Sequence, residues 1–153
     1  MINYFSKYKF FFYLCNFILI ILYLFPGSIL GWYLYNDVSL QPQITPDLII
    51  SSNHVYAFLI LSFVGFFTFK KIEQLKFLSI YLIFLSIILE ILHNFIPERS
   101  FEFPDLFGNL VGVIIVIIIF YFFKFSNYWG WQRNSWQINC FLNYLWTINH
   151  GRT

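Results

Sequence analysis

Between Lys9 and Asp37 the chain carries no charged side chain, and the same is true from Leu48 to Phe69 and from Leu106 to Phe123. A fourth run, Phe77 to Ile96, holds a single acid, Glu90. A helix needs about 20 mostly apolar residues to cross the hydrocarbon core of a bilayer. The charge map therefore predicts four membrane spans, at Phe10–Phe25, Leu48–Phe69, Phe77–Ile96 and Asp105–Phe123. Pro26 and Gly27 close the first and Pro97 closes the third, since proline ends a helix and glycine permits the turn that follows. The run Val113–Ile119 is β-branched enough for a strand in water. In lipid a lone strand leaves its backbone unpaired, so a helix is expected there too.

Composition agrees. Of 153 residues 59% are hydrophobic and 10% charged, whereas a soluble domain is about a quarter charged. Too few polar side chains remain to cover a globule of this size, which excludes a soluble enzyme, and the low polarity excludes disorder. The length allows one domain. The net charge of +2, scattered between apolar runs, presents no basic face to nucleic acid. Cys15 and Cys140 have no Cys or His neighbours at zinc-site spacing and read as small apolar fillers. A cleavable signal peptide competes for the first span, because Lys7 and Lys9 precede it. The apolar run is longer than a signal core and Phe25-Pro26-Gly27-Ser28 is no small-x-small cleavage site, so the segment is expected to be retained.

Four spans put both termini on one side. Lys7, Lys9, Lys70, Lys71, Lys76, Lys124, Arg133 and Arg152 then share that side, eight of the nine basic residues, and only Arg99 lies opposite. Basic residues mark the cytoplasmic face. The opposite loops would carry Asp37, Asp47, Glu98, Glu102 and Asp105 against Arg99, a net charge of −4. The sequence thus predicts an all-α, four-span transmembrane helix bundle over residues 1–123 with cytoplasmic termini. Residues 124–153 form an aromatic tail that holds Trp129, Trp131, Trp136 and Trp146. Within the tail Ile138, Phe141, Leu142 and Leu145 fall on one side of a helix from Trp136 to Ile148. Indoles favour the headgroup level, so the tail reads as an interfacial helix on the inner leaflet or as a docking surface for a larger membrane complex.

Polar groups inside a membrane are costly and usually functional. Under this topology His54, Glu90, His93, Arg99, Asp105 and Asn109 all converge on the outer leaflet. Glu90 and His93 are three residues apart and share a helix face, as do Asp105, Asn109 and Gly112. Gly108 and Gly112 form a small-xxx-small pair that permits close helix packing. The plain reading of the cluster is packing glue, with Asn109 bonding across helices and Arg99 neutralising Glu90 or Asp105. A Glu-x-x-His pair also occurs in di-iron bundles, which use it twice with two more carboxylates; one pair here argues for no metal. Haem or pigment ligation by His54 or His93 is open to an aromatic bundle, but a lone intramembrane histidine is more often a hydrogen-bonded packer. Ser51 and Ser52 beside His54 lack any nucleophile-elbow sequence, and no other nucleophile supports catalysis.

The segment Glu90-Ile91-Leu92-His93-Asn94-Phe95-Ile96-Pro97-Glu98-Arg99, followed by Asp105-Leu106-Phe107-Gly108-Asn109-Leu110-Val111-Gly112, resembles the signature of the VanZ-like family. That signature is an intramembrane acid, a Pro-x-Arg turn and an Asp-x-x-x-Asn-x-x-Gly entry into the last span. His54-Val55-Tyr56-Ala57-Phe58 resembles the family's histidine at the head of an aromatic helix, and the likeness covers roughly residues 50 to 115. Ile50 and Ser51 stand where relatives often have an Asp-Lys pair, and His93 where they commonly have glutamine. The resemblance implies a small integral protein of the bacterial cytoplasmic membrane, from a family linked to teicoplanin resistance. Together with the clustering it leads to an expectation of an outward-facing pocket that binds a lipid headgroup or glycopeptide-type ligand without a cofactor. Arg99 would meet an anionic group, His54 and Glu90 would handle a proton, and Asp105 and Asn109 would orient the loop. An accessory subunit docked through the tryptophan tail, with a bound pigment or haem, is the alternative.

Overall fold

The computed structural model describes residues 4–47 and 49–124, and within them the chain is helical with no strand. Helices α1 (Tyr4–Leu24) and α2 (Ile29–Tyr35) come first, then α3 (Ser52–Thr68) and α4 (Ile72–Leu92). A short 3-10 turn, His93–Phe95, extends α4, and α5 runs Phe103–Lys124. The β-branched stretch Val113–Ile119 is helical.

Two helices are long and apolar enough to cross a membrane, Ile72–Phe95 and Phe103–Lys124. The run expected as the first span is not one rod: Tyr8–Leu24 of α1 and α2 pass that test only as a pair meeting at 75°, which gives up to three candidate spans among the described residues rather than four. Pro26 cannot donate to the helix ladder and Gly27 takes φ +73°, a left-handed turn that a β-carbon would strain. Ser28 then starts α2 by accepting the Gly31 N–H on its hydroxyl at 3.0 Å, a side-chain N-cap. The charge map gave no hint of α2, whose seven residues lie inside the same uncharged run.

Helix α3 is shorter than its uncharged run. It starts at Ser52, not Leu48, and its 17 residues fall just below spanning length. The polar residues at its head explain the late start. Asp47 Oδ1 accepts the Ser52 N–H at 2.7 Å, the Ser52 hydroxyl donates to the Thr45 carbonyl, and the Asn53 amide bonds both Ile44 N–H and the Pro42 carbonyl. Ser52 and Asn53 thus clasp the preceding loop to the helix end. Helix α4 begins at Ile72, five residues before the expected span, with Glu73 in its first turn where the helix dipole favours an acid.

Polarity is inverted relative to a soluble protein. Phe77, Phe84, Phe17 and Ile60 point outward, Phe77 with 80% of its surface exposed, while Glu90, Asn109, Ser62 and Ser86 are fully buried. Phe58, Leu61, Leu82, Leu89, Val113 and Val116 fill the space between helices. A surrounding hydrocarbon phase is compatible with such a surface, and in it close van der Waals packing replaces the hydrophobic effect as the force between helices.

Glycines supply that closeness. A β-carbon on Gly108 would lie 2.7 Å from the Ser51 carbonyl oxygen, and one on Gly112 would lie 2.5 Å from that of Val55. Helix α5 therefore rests backbone-to-backbone on α3 at these two positions. Two buried hydroxyls return to their own helix, Thr68 to the Val64 carbonyl and Ser86 to that of Ile83.

The chain divides into two compact units, Met1–Ile117 and Ile118–Thr153. In the second, residues 118–124 are helical and Phe122 meets Phe123 edge-on. The aromatic tail, with Trp129, Trp131, Trp136, Trp146 and Cys140, lies outside the described residues.

Candidate functional site

One end of the first unit collects the polar side chains of four helices. His54 lies in the first turn of α3, Glu90 and His93 at the end of α4, Asp105 and Asn109 in the first turns of α5, and Tyr23 in the last turn of α1. Gly108 brings α5 against the backbone at His54, which sets the His54 and Asp105 side chains face to face.

The contacts locate most of the protons. The Tyr23 hydroxyl donates to Asn109 Oδ1 at 2.6 Å and so has no hydrogen left for His54. His54 Nδ1 is 3.1 Å from both the Tyr23 hydroxyl oxygen and Asn109 Oδ1, two acceptors, and is therefore assigned the ring hydrogen. Its Nε2 then faces Asp105 Oδ2 at 3.2 Å. His93 follows the same pattern: Nε2 faces the Tyr23 carbonyl oxygen at 3.1 Å and must donate to it, leaving Nδ1 toward Glu90 Oε1 at 3.4 Å. Each histidine thus has one nitrogen tied to an oxygen acceptor and the other turned toward a carboxylate.

Glu90 is the deepest member, with none of its surface exposed. Its Oε1 accepts the Glu102 backbone N–H at 3.1 Å, which ties the loop between α4 and α5 to the cluster. Its Oε2 has no hydrogen-bond partner and lies 4.0 Å from His54 Nδ1. Leaving a buried carboxylate oxygen unpaired is expensive.

Arg99 does not neutralise either acid directly. Its Nε donates to the Phe25 carbonyl at 3.1 Å, and Nη2 donates to Gly27 at 2.6 Å and Leu22 at 3.3 Å. These are the open carbonyls at the end of α1, so the guanidinium acts as a C-terminal cap and matches the negative end of the helix dipole. Burial lowers its pKa from the usual value, while the negative field of Tyr23, Asp105 and Glu90 opposes that shift.

All six polar residues that the sequence singles out come together, Arg99 through α1 rather than through an acid. Tyr23 is the member the sequence does not mark. It stacks on His93 at 5.7 Å and meets His54 edge-on at 5.2 Å, so it sits at the centre of the network. Its only signal is a phenol one turn before Pro26, and Tyr13, in the same helix, is exposed and has no such role.

Two cavities adjoin the cluster. One, of about 120 Å³, is polar and bounded by His93, Glu98, Arg99, Glu102 and Asp105. The other, of about 400 Å³, runs between α1, α2 and α3, with apolar walls from Leu22, Ile29, Leu30 and Ile60, and is lined also by His54 and Arg99. A third space of about 450 Å³, among Phe12, Phe69, Phe77 and Tyr81, lies away from these residues. No family model matches the chain, and neither does any curated protein or solved structure.

Proposed function

We propose that this chain is a VanZ-like, four-span protein of the bacterial cytoplasmic membrane, with cytoplasmic termini and its polar cluster at the outer leaflet. There it binds an amphipathic envelope ligand, a lipid headgroup or a glycopeptide-type molecule. The observation that carries the reading is the crevice of about 400 Å³, mostly apolar and lined also by His54 and Arg99. An acyl chain finds hydrocarbon walls there, and an anionic headgroup finds the Arg99 guanidinium. Three of the five guanidinium N–H groups hold α1, which leaves the Nη1 pair to turn toward the cavities. The residue pattern from Glu90 to Gly112 supports the family, and the distribution of basic residues supports the orientation. Among the described residues nothing favours a complex-bound subunit, since that reading rests on the tail.

The reading makes a binding prediction. Purified protein in a neutral detergent should bind dihexanoyl phosphatidylglycerol at least tenfold more tightly than dihexanoyl phosphatidylcholine. Ile60→Trp, which places a bulkier side chain on the crevice wall, should weaken that binding. Equal affinity for the two lipids, or full binding by Ile60→Trp, would overturn it; teicoplanin in the same assay separates the two ligand classes.

A further inference from the structure

His54, Glu90 and Asp105 come from three different helices, yet a ring nitrogen of the first and a carboxylate oxygen of each of the others all lie within 4.8 Å of one another. We infer that this trio is a binding site for one divalent transition ion of the manganese, iron or zinc class. Ligands bonded at about 2.0–2.2 Å stand roughly 3–4.4 Å apart around such an ion, and three cannot all stand at the far limit, so side-chain movements of up to about 1 Å complete the set.

The second, independent observation is Glu90 Oε2. It belongs to a side chain with no exposed surface, has no hydrogen-bond partner, and faces His54. A buried carboxylate oxygen beside an imidazole and a second carboxylate calls for a positive charge; three Arg99 donors hold α1, and no contact brings the remaining Nη1 pair to it. A divalent ion balances Glu90 and Asp105 with none left over.

The surroundings have the form of a metal site's outer shell. His54 turns Nε2 to Asp105 Oδ2 at 3.2 Å and Nδ1 toward Glu90 Oε2 at 4.0 Å. With Nε2 on the ion, Glu90 must therefore swing toward it while Nδ1–H keeps the bonds to Asn109 Oδ1 and the Tyr23 hydroxyl. Ligating histidines ordinarily have such oxygen support on the second nitrogen. The Glu102 N–H fixes the other oxygen of Glu90. One imidazole and two carboxylates suit a borderline ion rather than calcium, which takes six to eight oxygens. The small polar cavity, with Glu98, Glu102 and Asp105 on its wall, gives a hydrated cation a path to the trio. The single Glu-x-x-His pair that is too little for a di-iron centre is not this site: His93 contributes from outside, and the ligands are distant in sequence.

The inference does not rest on the lipid-binding reading, and its test contains no lipid ligand. The full chain, with any affinity tag removed, is stripped with dipicolinate in detergent, dialysed against Zn²⁺, Mn²⁺ or Co²⁺, and assayed by elemental mass spectrometry. About one equivalent should remain, with Asp105→Asn at background and Glu73→Gln, at the far end of α4, unchanged. Asn109→Ala, which removes the acceptor shared by His54 Nδ1 and the Tyr23 hydroxyl but no proposed ligand, should weaken affinity ten- to a hundredfold. Circular dichroism checks the fold of each variant. If Asp105→Asn fails to fold, the Co²⁺ protein decides: a visible d–d spectrum that changes in Asn109→Ala supports the site, and no such spectrum overturns it. Wild-type protein that retains no metal above a buffer control, or folded Asp105→Asn that retains as much as wild type, also overturns it.

Discussion

Tyr23 and Asn109 are joined by a 2.6 Å hydrogen bond across 86 residues of sequence, from the last turn of α1 to the second turn of α5. Tyr23→Phe keeps the ring packing against His54 and His93 and removes only the hydroxyl. It should cost about 1 kcal/mol, the typical net contribution of a buried bond, because His54 Nδ1 still bonds Asn109 Oδ1. Thermal unfolding in detergent measures this, and a double-mutant cycle with Asn109→Ala should show coupling of about 0.5–1.7 kcal/mol. Purely additive losses would mean that the bond contributes nothing.

The glycines of α5 and α3 should not be equally sensitive. At Gly112 a new methyl meets the Val55 carbonyl at 2.5 Å, a backbone atom that cannot move alone, whereas at Gly65 it meets the ends of Phe12 and Leu78, side chains that can turn. Gly112→Ala should destabilise by about 1–3 kcal/mol and Gly65→Ala by clearly less, as overpacking costs depend on what can yield. Ranking the two unfolding midpoints in one detergent tests the order.

Arg99→Lys keeps the charge and loses the fork. One ammonium cannot reproduce the spread from Leu22 to Gly27, so the end of α1 should lose about 1–2 kcal/mol despite the conserved charge. An Arg99→Lys protein as stable as wild type would show that charge alone is what the loop requires.

Asp37 carries a smaller, pH-dependent effect in the loop after α2. The Ser39 hydroxyl and then its backbone N–H donate to the Asp37 carboxylate at 2.7 and 2.8 Å and hold its pKa below the usual value. A group whose folded pKa is depressed stabilises the fold above its unfolded pKa, and that contribution disappears as pH falls through the folded value. Ser39→Ala should raise the Asp37 pKa toward the ordinary range, which carbon-detected NMR titration measures directly. Asp37 is fully exposed, so the midpoint at neutral pH should barely change.

Much of the helical layout is legible in charge spacing, because lipid-facing helices must exclude charge over their whole length. The convergence of His54, Glu90, His93, Asp105 and Asn109 is legible for the same reason: once helix ends are assigned, residues near those ends share a depth. What charge spacing cannot register is a change of direction without a change of polarity. Helix α2 is as apolar as α1, so the 75° bend leaves no trace beyond Pro26 and Gly27. Asp47, Ser52 and Asn53 look like the polar head of a longer span because side-chain clasping and helix entry use the same residue types. Arg99 looks like a counter-ion for Glu90 by sequence, and only the position of the α1 carbonyls shows which acceptors it reaches first. Tyr23 is hidden among eleven tyrosines whose burial depends on tertiary packing.

The Arg99 cap also sets an order of events during synthesis. The end of α1 leaves the ribosome 77 residues ahead of the guanidinium that holds Leu22, and at about 5–20 residues per second the wait is roughly 4 to 15 seconds. During that interval the Leu22, Phe25 and Gly27 carbonyls lack the guanidinium that finally holds them. The nascent amino-terminal segment must then remain where water or the insertion machinery can solvate it. Final seating of the first helix is thus a late step, begun when the loop before α5 arrives and completed by Asn109 in the second turn of α5.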